Sequence, residues 1–333
     1  MKKKTDQKIE IDRDALKIIG GYLTKTDINS WSETSTGFYG FFHAERQSPS
    51  YWLNQFQLCV AHGEQNKAEE LLKMKGLSLL VQEGEFSDYS KRQFNTSAFK
   101  YMLAALDTRY MSTMFLRCLE EANIPLEKKR IITKELRNQY EDFKNNGITY
   151  TLGDMIYKNK LSFGFIPLIK TLEDYIKNFR IKKEREHYFC TMVGKAQTLV
   201  PAHLAQHYCD SDTSFGLTPV FTAETFTRCL DVKKADSDIF HQWWTCGRDG
   251  ILGEDFGYIR GFSKESVWEG TQPNRDNARK DLEAITTLFA KRQEDRVAIG
   301  VALNTLIEAI ENKLSQGLEY DSDEKSSSGC SIM

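Results

Sequence analysis

The chain has 333 residues, of which 40% are hydrophobic and 28% charged, and its formal net charge is −2. These proportions fit a globular protein and argue against a disordered or membrane one. The near-neutral balance gives no electrostatic reason to expect nucleic acid as a partner, and no apolar run approaches the ~20 residues of a membrane helix. Six prolines and long Leu/Lys/Glu-rich stretches favour helix. The basic start Met1-Lys2-Lys3-Lys4 has no apolar run behind it, because Asp6, Lys8, Glu10, Asp12 and Asp14 interrupt. It therefore does not read as a secretory signal peptide. The seven cysteines contain no C-x-x-C pair, and most sit beside apolar neighbours, as buried reduced thiols of a cytosolic setting do.

The first periodic stretch covers residues 9–42. Leu16, Ile19, Tyr22 and Leu23 form a helical stripe of about two turns. Asp12 and Asp14 lie where carboxylates favour a helix start. Thr24–Asp27 reads as a break and a fresh cap, followed by Ile28 and Trp31 on a second short helix. Short helices of this size cannot bury a core alone, so the segment must either fold onto the rest of the chain or dock a partner.

With Ile11–Leu16, Ile19-Gly20-Gly21-Tyr22-Leu23, Asp27-Ile28 and Trp31-Ser32 in its motif positions, this stretch resembles an F-box. That module ties a substrate adaptor to a Skp–cullin ubiquitin ligase. The resemblance implies a helical module over residues 8–45. Its contacts to the Skp-type linker would be Leu16, Ile19, Tyr22, Leu23, Ile28 and Trp31.

A polar connector over 43–50 leads to a helix from Tyr51, with Leu53, Phe56, Gln57, Val60 and Ala61 on one face. A turn at Gly63 and a second helix through Leu72 follow. After a loop around Gly84, residues 88–119 read as a polar turn and a further helix pair. In it Phe94, Ala98, Tyr101, Met102 and Ala105 precede Met111, Met114, Phe115 and Leu119. The two helix pairs resemble ankyrin units, with Lys91 at the ankyrin glycine position, and imply an ankyrin-like region over 50–124.

Residues 125–145 read as a charged helix ended by Gly147. The stretch 148–168 mixes β-branched and aromatic residues as a short strand pair does, and 169–198 reads as helix with a solvated face. Chemistry-bearing residues are densest from Val193 to Gly261. His203 and His207 share a helix face with Cys209 close by, but no acidic residue lies between the histidines, and Pro201 fits a structural turn instead. Cys–His pairs drawn from Cys190, Cys209 or Cys246 with His187, His203 or His241 have no distinguishing spacing, and burial of the thiols is the better reading. No metal, cofactor or catalytic residue is assigned.

Phrases at Val193–Phe221, His241–Trp244, Leu252–Gly261, Asp88-Tyr89-Ser90 and Ala105–Thr108 resemble a region of Legionella-type secreted effector proteins. The resemblance implies a bacterial protein delivered into a host cell and implies no activity.

Residues 275–314 read as a long amphipathic helix or a helical hairpin. Its apolar face comprises Leu282, Ile285, Leu288, Phe289, Ala298, Val301, Ala302, Thr305, Leu306, Ala309 and Ile310. This closes a helical C-terminal domain over 125–316. The acidic, Ser-rich tail over 317–333 is expected to be disordered from Glu319. It ends on Cys330-Ser331-Ile332-Met333, a C-a-a-X box of the farnesyl type. Prenylation at Cys330 needs a host prenyltransferase, and one chain anchors only marginally without a second signal.

The expectation is a mainly α protein, secreted into a host cell and acting in host cytosol and on the cytoplasmic face of host membranes. It would be an F-box-like adaptor that brings a Skp–cullin ligase to substrates, with a host membrane, through the lipid anchor, as a further partner. The alternatives are an effector enzyme with its site in 193–261, gathering His203, Cys209, Asp212 or Arg260, and a prenylated scaffold without ligase link.

Overall fold

The computed structural model describes residues 48–178, 184, 188–204, 231–233, 240–242 and 275–326. The chain divides into two compact units, Met1–Gln55 and Phe56–Met333. The F-box-like positions Leu16, Ile19, Tyr22, Leu23, Ile28 and Trp31 lie outside the described residues, as do Cys209, Asp212, Arg260 and Cys330.

The described part is mainly α. Helix α1 (Pro49–Ala61) comes first, and α2 (Gln65–Lys75) follows the turn at Gly63, which has φ 70°. A 3₁₀ turn over Leu77–Leu80 leads into β1 (Glu83–Ser87) and β2 (Gln93–Ser97). This hairpin stands where the sequence pointed to a loop at Gly84 and a polar turn. The alternation is legible afterwards: Phe86 and Phe94 point inward and stack at 5.4 Å, while Glu83, Glu85, Gln93 and Asn95 flank them.

Ser97 closes the strand and caps α3 (Ala98–Ala105), its hydroxyl accepting from the Lys100 N–H at 3.1 Å. Leu106 ends α3 in the left-handed region, φ 58°. Helix α4 (Met111–Glu121) follows, so the expected helix pair is present, with Met102, Met111, Met114 and Leu119 fully buried. Helix α5 (Leu126–Asn146) ends at Gly147, φ 63°, and β3 (Ile148–Leu152) and β4 (Met155–Lys160) form the expected strand pair. The four strands make one antiparallel sheet in the order β1-β2-β3-β4.

Helix α6 (Phe165–Lys177) starts four residues before the expected Ile169 and stops at Asn178. A π-type turn (Phe189–Val193) and the single turn α7 (Gly194–Gln197) come next. A two-stranded ladder, β5 (Asp231–Lys233) with β6 (Phe240–Gln242), lies in the stretch where no strand was expected. Helix α8 runs from Arg275 to Ser326 without interruption. It is one helix rather than a hairpin, and its backbone continues through residues expected to be disordered from Glu319. No proline or glycine stands between Leu318 and Ser328 to stop it, and propagation adds one hydrogen bond for each residue fixed. Among the described residues no helix is long and apolar enough to cross a membrane.

Two cores result. One lies under the sheet, where Phe86, Phe94, Tyr101, Tyr150 and Phe163 pack ring on ring at centroid distances of 4.9–5.8 Å. The other gathers α6, the 189–204 segment and the first half of α8 around Leu106, Leu168, Leu172, Val193, Leu204, Ile285 and Leu288. Beyond it α8 runs antiparallel to α5. Tyr140 lies against Gly300, Arg137 bonds Asn304 at 2.6 Å, and Lys134 pairs with Glu311 at 2.6 Å.

Candidate functional site

The resemblance to secreted effectors rested on phrases far apart in sequence, and the fold brings three of them together. The loop 88–92, the turn 105–110 and the segment 197–204 meet in one seam.

The loop joins β1 to β2. Asp88 and Arg92 close it twice, through the Asp88 N–H to the Arg92 carbonyl at 3.1 Å and through Arg92 Nε to Asp88 Oδ2 at 2.8 Å. Both side chains are almost fully buried, at 3% and 2% exposure. A buried pair of charges is tolerable only where every donor finds an acceptor. Here Nη1 of Arg92 donates to the Leu199 carbonyl at 2.7 Å and Nη2 to Ser90 Oγ at 3.2 Å. The Ser90 hydroxyl in turn donates to the Thr198 carbonyl at 2.7 Å. The guanidinium also lies 4.4 Å from the Phe163 ring centroid, within cation–π range. Lys91 adopts φ 63°, the region that glycine favours, at the place where ankyrin units carry glycine.

The second turn is held from two sides. His203 is 2% exposed, and its Nε2 donates to the Ala105 carbonyl at 2.7 Å, which fixes the proton on that nitrogen. Asp107 Oδ1 accepts from the Met111 N–H at 3.2 Å and so caps α4. From α8, the Arg292 carbonyl accepts from Thr108 Oγ1 at 3.4 Å, and Asp295 pairs with Arg109 at 3.4 Å. The Arg292 guanidinium lies 5.4 Å from the Tyr110 ring centroid. Burial pulls Arg292 below the ordinary arginine value, while Asp107, Tyr110 and Asp295 oppose that shift.

Gly164 completes the seam. Its φ is 85°, and a Cβ there would stand 2.5 Å from the Leu199 carbonyl oxygen and 2.8 Å from Val200 Cα. The backbone of 199–201 thus passes where only glycine fits.

Between these parts runs a cleft lined by Val60, Gly63, Tyr101, Asp107, Pro201 and His203. It encloses about 210 Å³ of atom-free space, open solvent included, yet has no room for the centre of a water molecule. Tyr101 loses water on every side, and this burial, with Asp88 and Asp107 nearby, holds its phenol well above the usual tyrosine range. The seam is closely packed, and His203 is buried within it.

The sequence reading had singled out His203, but neither Arg92 nor Arg292. Their signal was present only as an acid–base pair four residues apart and as a cation in step with the apolar stripe of α8. Among the thiols, Cys59 and Cys118 are buried and reduced. Burial, reinforced by Glu64, pushes the Cys59 thiol up to about 12, which leaves it unreactive at neutral pH. Among the described residues no group of three or more His, Cys, Asp or Glu is placed to hold a metal ion.

A family model described as the CBUA0006 C-terminal domain matches residues 167–303, which include the 197–204 half of the seam and Arg292. An uncharacterized protein of Coxiella burnetii (strain RSA 493 / Nine Mile phase I), CBUA0006, is 29% identical over 260 residues. That similarity covers 73% of this chain and 73% of the relative. No solved structure matches the chain.

Proposed function

We propose that the chain is a host-directed bacterial effector that works as a binding adaptor. Its F-box-like start would capture the Skp-type linker of a cullin ubiquitin ligase. Its helical body would present a substrate, and prenylation of Cys330 would place the assembly at host membranes. The observation that carries this reading is the F-box-like motif of residues 8–45, a span that falls within the first compact unit, Met1–Gln55. The similarity to a Coxiella protein supports the bacterial source. The seam supports a binding role in a different way: His203, Asp107 and Arg292 are engaged in joining the C-terminal part to the rest of the second unit.

A linker contact through Leu16 and Leu23 would contribute about 1.5–3 kcal/mol for each fully buried side chain. The double variant Leu16→Ala/Leu23→Ala should therefore lose capture of the purified Skp–cullin linker while the melting of the second unit is unchanged. Retained capture, or a parent that captures no linker, would refute the adaptor role.

A further inference from the structure

Among the described residues, one end of the sheet is left uncovered. β3 turns its buried residues Ile148 and Tyr150 inward, and Tyr150 contacts Phe94 and Phe163 at 5.5 and 5.8 Å. On β4 only Tyr157 leans back, stacking on Tyr150 at 4.9 Å, and every other residue is exposed. The turn stands clear of the body. Gly153 has φ 58°, and a Cβ added there would meet no atom within 4 Å.

At this tip Met155 is 62% and Ile156 60% exposed, with Leu161 44% exposed at the foot of the strand. Neighbouring residues on a strand face opposite ways, so exposure of both Met155 and Ile156 means that no described residue covers either face of the tip. Behind them stand Lys158 and Lys160, both exposed, with their ammonium groups in no ion pair or side-chain hydrogen bond among the described residues. Asp154 is the one acid of the turn.

An apolar tip over a cationic stem matches the boundary of an anionic bilayer. There thioether and alkyl groups enter the acyl edge and ammonium groups stay among phosphates. A strand-adding protein partner fits less well. Asn159, at φ 53°, and the register shift between Ile148 and Tyr150 interrupt the ladder next to this edge. A bulged, lysine-bearing edge is the form that discourages strand pairing.

We propose that the β3–β4 hairpin is a membrane-contact loop that takes an anionic lipid surface. It would supply, from the protein itself, the second signal that a single prenyl chain lacks. It does not depend on the prenyl group, so it can stand or fall apart from the adaptor reading.

The test uses the full chain made in bacteria without a prenyl group. Partition is measured by co-sedimentation with vesicles of phosphatidylcholine alone and of phosphatidylcholine with phosphatidylserine. Binding is expected on the anionic vesicles and should fall steeply with added salt. Lys158→Gln/Lys160→Gln should weaken it by about thirtyfold, at about 1 kcal/mol for each lysine near the surface. Met155→Ser/Ile156→Ser should weaken it at least about tenfold. All four side chains are exposed, so both variants should melt as the parent does. Parent and variants partitioning alike would overturn the proposal, as would no parent binding to anionic vesicles. Binding of an extended peptide of alternating Glu and Val, with no lipid binding, would assign the hairpin to a protein partner and also overturn it.

Discussion

Asp88 and Arg92 show what one pair of residues can do for the whole second unit. Each is nearly removed from water, each nitrogen of the Arg92 guanidinium has an acceptor, and both Asp88 carboxylate oxygens accept a hydrogen bond. Removing one partner leaves a buried charge alone. Arg92→Ala should cost about 3–5 kcal/mol in equilibrium denaturation, with Asp88 then unpaired. The double variant Asp88→Leu/Arg92→Met should be far less damaging than the sum of its single changes, which a double-mutant cycle would read. Additive losses would mean that the two side chains act separately. Little of this was legible in the sequence. A charged residue in a polar turn reads as solvated, and only the passage of the 198–199 backbone over the loop makes Arg92 a buried one. By contrast Phe94, Tyr101, Met102, Met111 and Phe115 were legible as core residues, because burial of large apolar side chains needs no knowledge of the partner.

The same lesson recurs in α8. Periodicity placed Ala298, Val301, Thr305 and Ala309 on its apolar face, yet all four are exposed. The buried stripe keeps the expected Ile285, Leu288 and Ile310 but otherwise runs through Ala278, Asp281, Arg292, Ile299 and Leu303. It keeps the three- and four-residue spacing of one continuous helix face. Because Asp281 and Arg292 stand on it as polar residues, a count of apolar side chains alone drifts off the true face. Gly300 marks the closest approach to α5, since a Cβ there would come within 2.6 Å of the Tyr140 ring. In a free helix Gly300→Ala would gain about 0.8–1 kcal/mol. Here overpacking should outweigh that gain, for a net loss of about 1–2 kcal/mol in thermal or chemical unfolding. Tyr140→Leu in the same chain should recover most of it. A stabilised Gly300→Ala protein would show that α5 and α8 do not approach this closely.

At the scale of the whole molecule the question the proposal raises is how a chain of near-neutral charge would meet a membrane. α8 carries its backbone as helix to Ser326, a length of about 78 Å at ~1.5 Å for each residue. Its last described tie to the body is the Lys134–Glu311 pair, so the helix continues well past it toward the C-a-a-X box. A single farnesyl chain anchors reversibly, and the acids Glu319, Asp321, Asp323 and Glu324 near it repel anionic lipid. Prenylation alone should therefore leave the protein divided between membrane and cytosol in eukaryotic cells. Cys330→Ser, or a farnesyltransferase inhibitor, should move it to the cytosol, and mass spectrometry of the C-terminal peptide should show the lipid on the parent. If the β3–β4 hairpin is the second contact, Lys158→Gln/Lys160→Gln should lower the membrane fraction of the prenylated parent as well. Combined with Cys330→Ser it should lower binding below that of either variant alone. If the two contacts act independently, their effects should add on a logarithmic scale once linker length is allowed for. An unmodified Cys330 thiol on protein recovered from such cells would end the prenylation reading and leave the hairpin to be judged on vesicles alone.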